Sequence, residues 1–358
     1  MKKWWLLVLS IGLLILQLIY YRSLRHFPEF VEEWYSTGIY PYIGRAMRFG
    51  LGWIPFSFGD LVYGIVIILA LRWVILFILE LFKKRKEFKL AVKLKELVMA
   101  VNLVLFFFHM AWGFNYYRQP LNEILELDST YTDEQLISTN RKLIFTANKL
   151  HQTLQTNDSL AVVFHRTQDE LFELAPEAFE NLKSIDPALT YGPSSIKESL
   201  LTLPLTYMGY SGYLNPITGE AQTNGYINNY KTPVLILHEM SHQLGFAKEN
   251  EANFIAVISG MKHEDPYFQY SACIFALRYC LNDLYLKDPA AFQLLKTEIY
   301  PGIFQNYKEL DDFWEPYDDN VIEKVSQASY NTYLQANNQP DGMRTYSYVV
   351  ALLVNYYQ

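Results

Sequence analysis

The chain has 358 residues, 51% of them hydrophobic and 16% aromatic, with a formal charge of −7. That apolar fraction is high for a wholly soluble protein and implies that part of the chain sits in lipid. Charge is unevenly spread, with 15 Lys and Arg against 7 Asp and Glu up to residue 118, and 15 against 30 beyond it. This pattern fits a basic membrane anchor carrying an acidic domain, and it leaves no basic patch for nucleic acid.

Three apolar runs fall in the first part, at residues 4–20, 61–82 and 97–114. Each is read as a transmembrane helix. The first follows Lys2 and Lys3 and is followed by Tyr21-Arg22-Ser23-Leu24-Arg25-His26. That sequence lacks a small-residue cleavage site, so the run is read as a retained anchor rather than a removed signal peptide. The most basic segment, residues 83–95, joins the second and third runs and is expected on the cytoplasmic side. Three crossings then deliver residues 119–358 outside the cytoplasmic membrane, with residues 23–57 at the outer interface. Arg45 and Arg48 in that stretch argue weakly against the topology. Arg72, Asn102 and His109 are polar positions within the runs. The simplest expectation for them is pairing within the helix bundle or proximity to an interface.

Beyond Arg118 the pattern predicts a mainly α, α+β domain. Helices are expected from Thr132 to about 155, over 162–179 with a bend at Pro176, and from Pro233 with Thr232 as cap. Others are expected at 252–261, 267–286, 289–300, 321–337 and 346–356. Between 207 and 229, Gly209, Gly212, Pro216, Gly219 and Gly225 punctuate turns and short strands, one of them at 220–226. Cys273 and Cys280 lie seven apart on one predicted helix. Their Cα atoms would be about 10 Å apart, out of disulfide reach, so buried core thiols are expected.

The chemistry concentrates in His238-Glu239-Met240-Ser241-His242, an HExxH motif on a helix that starts near Pro233. Residues four apart share a helical face, so both imidazoles can hold one Zn2+ while Glu239 acts as general base. A catalytic zinc needs a third protein ligand. If a second helix begins near Lys248, Glu249 shares a face with Ala252 and Asn253. Glu249 is therefore the preferred ligand, Glu251 the competitor, and Asn253 a residue that could hydrogen-bond a ligating imidazole from behind.

HExxH followed by Glu-x-x-Ala-Asn resembles the gluzincin metallopeptidases, although only six residues separate His242 from Glu249. Gly245 is closer to the metzincin pattern, but Lys248 stands where that pattern needs a ligand. More closely, the chain resembles the bacterial membrane proteins of domain-of-unknown-function family 3810. The matching pieces are Trp112-Gly113-Phe114-Asn115-Tyr116-Tyr117-Arg118, the run Gly212-Tyr213-Leu214-Asn215-Pro216-Ile217-Thr218-Gly219-Glu220-Ala221, and HEMSHQLGFAKENEANF. The resemblance implies a membrane-anchored, zincin-like peptidase acting on a peptide or protein substrate.

An oxyanion stabiliser is expected among Tyr207, Tyr210, Tyr213, Tyr226 and Tyr230. Residues 220–226 are either an edge strand along which substrate pairs or an ordinary hairpin beside the core. Two other functions stay open: hydrolysis of a non-protein amide or ester of the cell envelope, and a membrane scaffold with a vestigial zinc site. The motif lies more than a hundred residues past the last apolar run, which argues against proteolysis within the lipid.

Overall fold

The computed structural model describes residues 2–82, 90–342 and 348–358. The architecture is mainly helical, with one small three-stranded sheet. The first apolar run folds as α1 (Lys2–Ser23), followed by α2 (Pro28–Val31), a π-helical stretch Glu32–Ile39 and α3 (Tyr40–Leu51). The second is α4 (Phe58–Leu81), started by Ser57, whose hydroxyl accepts the Asp60 N–H at 3.0 Å. The third lies in α5 (Leu90–Ala111).

Among the described residues, two helices are long and apolar enough to cross a bilayer, Trp4–His26 and Phe58–Leu81. The third expected span, 97–114, is corrected. Lys93, Lys95 and Glu96 occupy the start of α5, and the helix ends at Ala111. Residues 97–111 supply about 22 Å of apolar helix against a hydrocarbon core of about 30 Å. The remainder turns off as a 3-10 segment, Gly113–Tyr117, in which Phe114 is buried. Instead of standing free in lipid, α5 runs along α1. Asn102 donates to Ser10 O at 3.1 Å, Gln17 donates to Asn102 O at 3.3 Å, and the His109 ring stacks on Tyr21 at 3.9 Å. Those contacts account for Asn102 and His109, whereas Arg72 lies on the exposed face of α4. Most of the basic 83–95 segment, residues 83–89, lies outside the described residues.

The rest of the chain continues through α6 (Leu121–Ile124), α7 (Asp133–Leu154) and α8 (Gln168–Leu174). Thr132 closes a capping box with Gln135 at the start of α7. The helix expected over 162–179 is shorter. A second capping box, Thr167 with Glu170, starts it only at Gln168, and Pro176 sits in a 3-10 continuation, Ala175–Leu182. Strands β1 (Ile196–Glu198), β2 (Gly212–Leu214) and β3 (Ala221–Thr223) flank α9 (Thr202–Tyr207). Their order is β1-β3-β2, with β3 parallel to β1 and antiparallel to β2. Gly219, at φ +67, closes the β2–β3 turn, where Asn215 Oδ1 accepts the N–H groups of Ile217 and Thr218.

Then follow α10 (Lys231–Gln243), α11 (Glu249–Met261), α12 (Pro266–Lys287), α13 (Pro289–Lys296), α14 (Pro301–Trp314), α15 (Val321–Ala336) and α16 (Val349–Tyr356). The helix expected over 289–300 ends at Lys296 as α13, and Pro301 starts the separate, unexpected α14. Thr232 lies inside α10 rather than at its cap, accepting the Asn229 N–H and donating to Ile227 O. Of the expected closing helix, residues 346 and 347 lie outside the described set.

The main core gathers apolar side chains of α7, α10, α11, α12, α14 and α16. Val234, Ile236, Leu237 and Met240 are buried on several sides of α10, so the helix is central rather than amphipathic. Cys273 and Cys280 are both free and buried in α12. A second core joins Tyr21, Val31, Tyr35, Tyr40, Trp112, Phe114, Tyr116 and Tyr117 to Ala247 of the α10–α11 turn. Residues around Tyr40 and from Trp112 to Tyr117 are thus packed against the turn that follows the HExxH helix.

Candidate metal centre

His238 and His242 project from one face of α10. The chain leaves that helix through Gly245, at φ +88, where a Cβ would lie 2.9 Å from Asn115 Oδ1. It re-enters helix at Glu249 after the extended Lys248. This short reversal brings Glu249 Oε2 to 3.1 Å from His238 Nε2 and 3.6 Å from His242 Nε2. One ligand atom from each of the three residues lies within 4.8 Å of the others, and no other such group occurs among the described residues.

Glu251 turns elsewhere. Its Oε1 accepts the Leu121 N–H at 3.0 Å and the Lys248 ammonium at 3.2 Å, so it ties the segment after residue 118 to the start of α11. Of the two alternative third ligands, the fold brings Glu249 to the histidines. Asn253 is buried in α11, but its amide nitrogen makes no hydrogen bond, nor does His238 Nδ1. The expected contact of Asn253 with an imidazole is not made. The backing of His242 comes from the main chain: Nδ1–H donates to Phe246 O at 2.7 Å, which turns Nε2 toward the centre.

The carbonyls at the end of a helix have no partner within it. In α10 they are met by side chains from far upstream. Trp112 Nε1 donates to His242 O at 2.9 Å, and Tyr40 OH and Arg48 Nη1 each donate to Gln243 O at 2.9 Å. Arg118 Nη1 donates to Gly245 O at 3.1 Å, its guanidinium pairs with Glu32, and its plane lies over Phe246. Arg48 is therefore a buried brace of the site rather than a loop charge reporting topology. The Trp112–Arg118 motif, legible in sequence only as a family likeness, braces the HExxH helix.

Glu239 is buried, and its Oε2 makes no hydrogen bond. Burial pushes its carboxyl up to about 8, with the His242 and Lys231 charges pulling against that and Glu249 adding to it. A cation held between the neighbouring ligands would favour the ionised form of Glu239, the form that can accept a proton. Glu249 is held well below the usual carboxylate range because the His242 charge and hydrogen bonds from both histidines outweigh its burial. The Glu239 carboxylate lies against β2: a Cβ on Gly212 would come within 2.8 Å of Oε1. Two turns before His238, Lys231 donates to Ser211 Oγ at 2.8 Å, putting a cation beside the same strand.

Of the two expectations for 220–226, the edge strand is corrected and the hairpin beside the core is what forms, with β3 paired antiparallel to β2. β3 is the central strand of the sheet and is buried, and β2 forms the edge next to Glu239. Of the five expected tyrosines, Tyr207 and Tyr226 are exposed and Tyr230 accepts from Arg278. Tyr213 bonds Asp60, and Tyr210 accepts from Ser326 Oγ. The phenol that reaches the centre is Tyr330 of α15, donating to Glu249 Oε1 at 2.6 Å. Nothing in a chain with 28 tyrosines singled it out.

No curated protein and no solved structure matches the chain. A family model described as "Protein of unknown function (DUF3810)" matches residues 35–354, which takes in the Arg48, Trp112 and Arg118 braces together with the HExxH helix. The chain belongs to that family.

Proposed function

We propose that the protein is a membrane-anchored, zinc-dependent metallopeptidase. One observation carries this reading: two imidazole nitrogens and a carboxylate oxygen converge within 4.8 Å, next to a buried carboxylate with an unpartnered oxygen. Two His and one Glu form a donor set that catalytic zinc takes while keeping a position for water. When bound, zinc supplies Lewis acidity, polarising a carbonyl and bringing water's pKa toward about 7.

His238, His242 and Glu249 would hold the ion, and the chain supplies the remaining functions. Glu239 takes the proton from water and passes it to the leaving amine. The open edge of β2 offers main-chain groups to an extended peptide, and Gly212 leaves room for that peptide and Glu239 together. The Lys231 ammonium adds positive potential where negative charge develops.

In this reading α1 and α4 cross the bacterial cytoplasmic membrane, and α5 packs along α1. The test compares newly formed peptide termini in membranes from cells carrying wild type or Glu239→Gln. Termini that vanish in the variant support a peptidase, and identical profiles overturn it.

A further inference from the structure

The face carrying α9 and the first half of α15 is apolar where a water-facing surface would be polar. Leu200 and Leu203 are 54% and 51% exposed, and Val321, Ile322 and Val325 are 76%, 55% and 61% exposed. Val321, Ile322 and Val325 share one side of α15 and look into an open cleft of about 600 Å3, closed across by Met208 and Tyr210. Tyr330 lines the same cleft and bonds the candidate ligand Glu249.

This face is fastened at one end to α4 and at the other to α5. On one side Asp60, in the first turn of α4, accepts from the Leu200 N–H and from Ser199 Oγ, both at 2.8 Å. Beside it, Tyr213 of β2 stacks on Tyr63 of α4 with ring centroids 6.3 Å apart. The first N–H groups of α4, on Phe58 and Gly59, are accepted by Glu220 at 3.1 and 2.5 Å, which locks the helix end onto the sheet. On the other side, Tyr333 of α15 meets Phe108 of α5 with centroids 6.1 Å apart and accepts from Tyr116 OH at 3.2 Å. The apolar face is thus strung between the points where α4 and α5 leave the domain.

We infer that this face rests on the lipid surface, so that the cleft over Tyr330 opens at the membrane interface and its substrates are polypeptides tethered to, or emerging from, the bilayer. The inference rests on α4 crossing the membrane. A bilayer that contains α4 has its boundary at the first turns of that helix, and Leu200, bonded there, cannot stand far above it. Apolar surface beside a span leaves water when lipid covers it, which favours that contact. Glu323, Lys324 and Gln327 lie on the side of α15 away from Val321, Ile322 and Val325, while the small Ser326 and Ser329 share the cleft with the apolar side chains, a pattern compatible with a helix lying in an interface.

The test uses the full chain in phospholipid nanodiscs, with single cysteines at Leu203, Val325, Ile68 and Lys308, each carrying an environment-sensitive fluorophore. Native Cys273 and Cys280 are fully buried and remain unlabelled. Lipids with a nitroxide near the headgroup end of the acyl chain serve as quencher. Ile68 sits within α4, and the Lys308 side chain is 71% exposed on α14. The expected result is quenching at 203 and 325 at least threefold above that at 308, with quenching at 68 as well. Quenching at 68 together with values at 203 and 325 no higher than at 308 overturns the inference while the span stands. That result would also follow if a second copy of the chain covered the face. Absence of quenching at 68 overturns the spanning reading, and this inference with it.

Discussion

Tyr330 and Glu249 stand 81 residues apart in the chain, and the phenol of the first donates to Oε1 of the second at 2.6 Å. The other carboxylate oxygen, Oε2, is the one facing both histidines. Tyr330 therefore divides the labour of Glu249 between its two oxygens, fixing one and leaving the other toward the centre. Groups that orient a ligand in this way typically change metal affinity by about 10- to 100-fold when removed. Tyr330→Phe is expected to keep the fold and weaken zinc binding by about tenfold, measured by competition with a chelator of known affinity. Unchanged affinity would mean that α11 alone holds the carboxylate in place.

Glu249 and Glu251 separate in a paired experiment. Glu249→Gln should lose the bound zinc. Glu251→Gln should retain it and lose stability by about 1–3 kcal/mol, because the buried Leu121 N–H and the Lys248 ammonium would be left facing a weaker acceptor. Metal content and thermal unfolding of the two variants decide the matter, and the opposite assignment would exchange the outcomes.

Gly212→Ala probes the approach of β2 to the general base. The added methyl would lie 2.8 Å from Glu239 Oε1 and 2.7 Å from Gln222 O, so the strand or the carboxylate must move. Displacements of about 1 Å at a reacting group can reduce rates by about a hundredfold. We expect full zinc occupancy with hydrolysis reduced by that order, and wild-type turnover would contradict the contact.

Lys231 links stability to pH. Burial holds its ammonium down at about 8, from an ordinary 10.5, with the Arg278 charge acting the same way and Glu239 opposing. Between those two values the folded chain carries fewer protons than the unfolded chain, so this group's contribution to stability rises with pH across that window. Below about 8 its full penalty is present. Lys231→Met should therefore unfold at a higher temperature than wild type at pH 7, with the advantage fading as pH rises toward 10.5. Turnover should fall at the same time, since the cation beside β2 is gone. Identical pH–stability curves would mean that the ammonium is solvated in the folded protein.

The parts of the site set by local periodicity were legible in the sequence. His238 and His242 share a face because of helical spacing alone, and Glu249 follows from the restart of helix at Lys248. Glu251 stayed in competition because its contact, the Leu121 N–H, comes from a segment 130 residues upstream. Arg48, Trp112, Arg118 and Tyr330 were hidden for the same reason, since each meets the site through tertiary packing that leaves no periodic trace. The sheet misled for a different cause. Strands of three residues carry too little alternation to separate a central from an edge position, and β3 proved central. The third span failed on length, because apolar composition continued past the helix end at Ala111 into a buried turn.

The central claim is that His238, His242 and Glu249 hold one zinc ion, and metal analysis of the purified full-length chain tests it most directly. One zinc per chain in wild type, retained in Glu239→Gln and lost in His238→Ala, is the predicted result. A chain without zinc after reconstitution, or one whose zinc survives His238→Ala undiminished, would contradict the account.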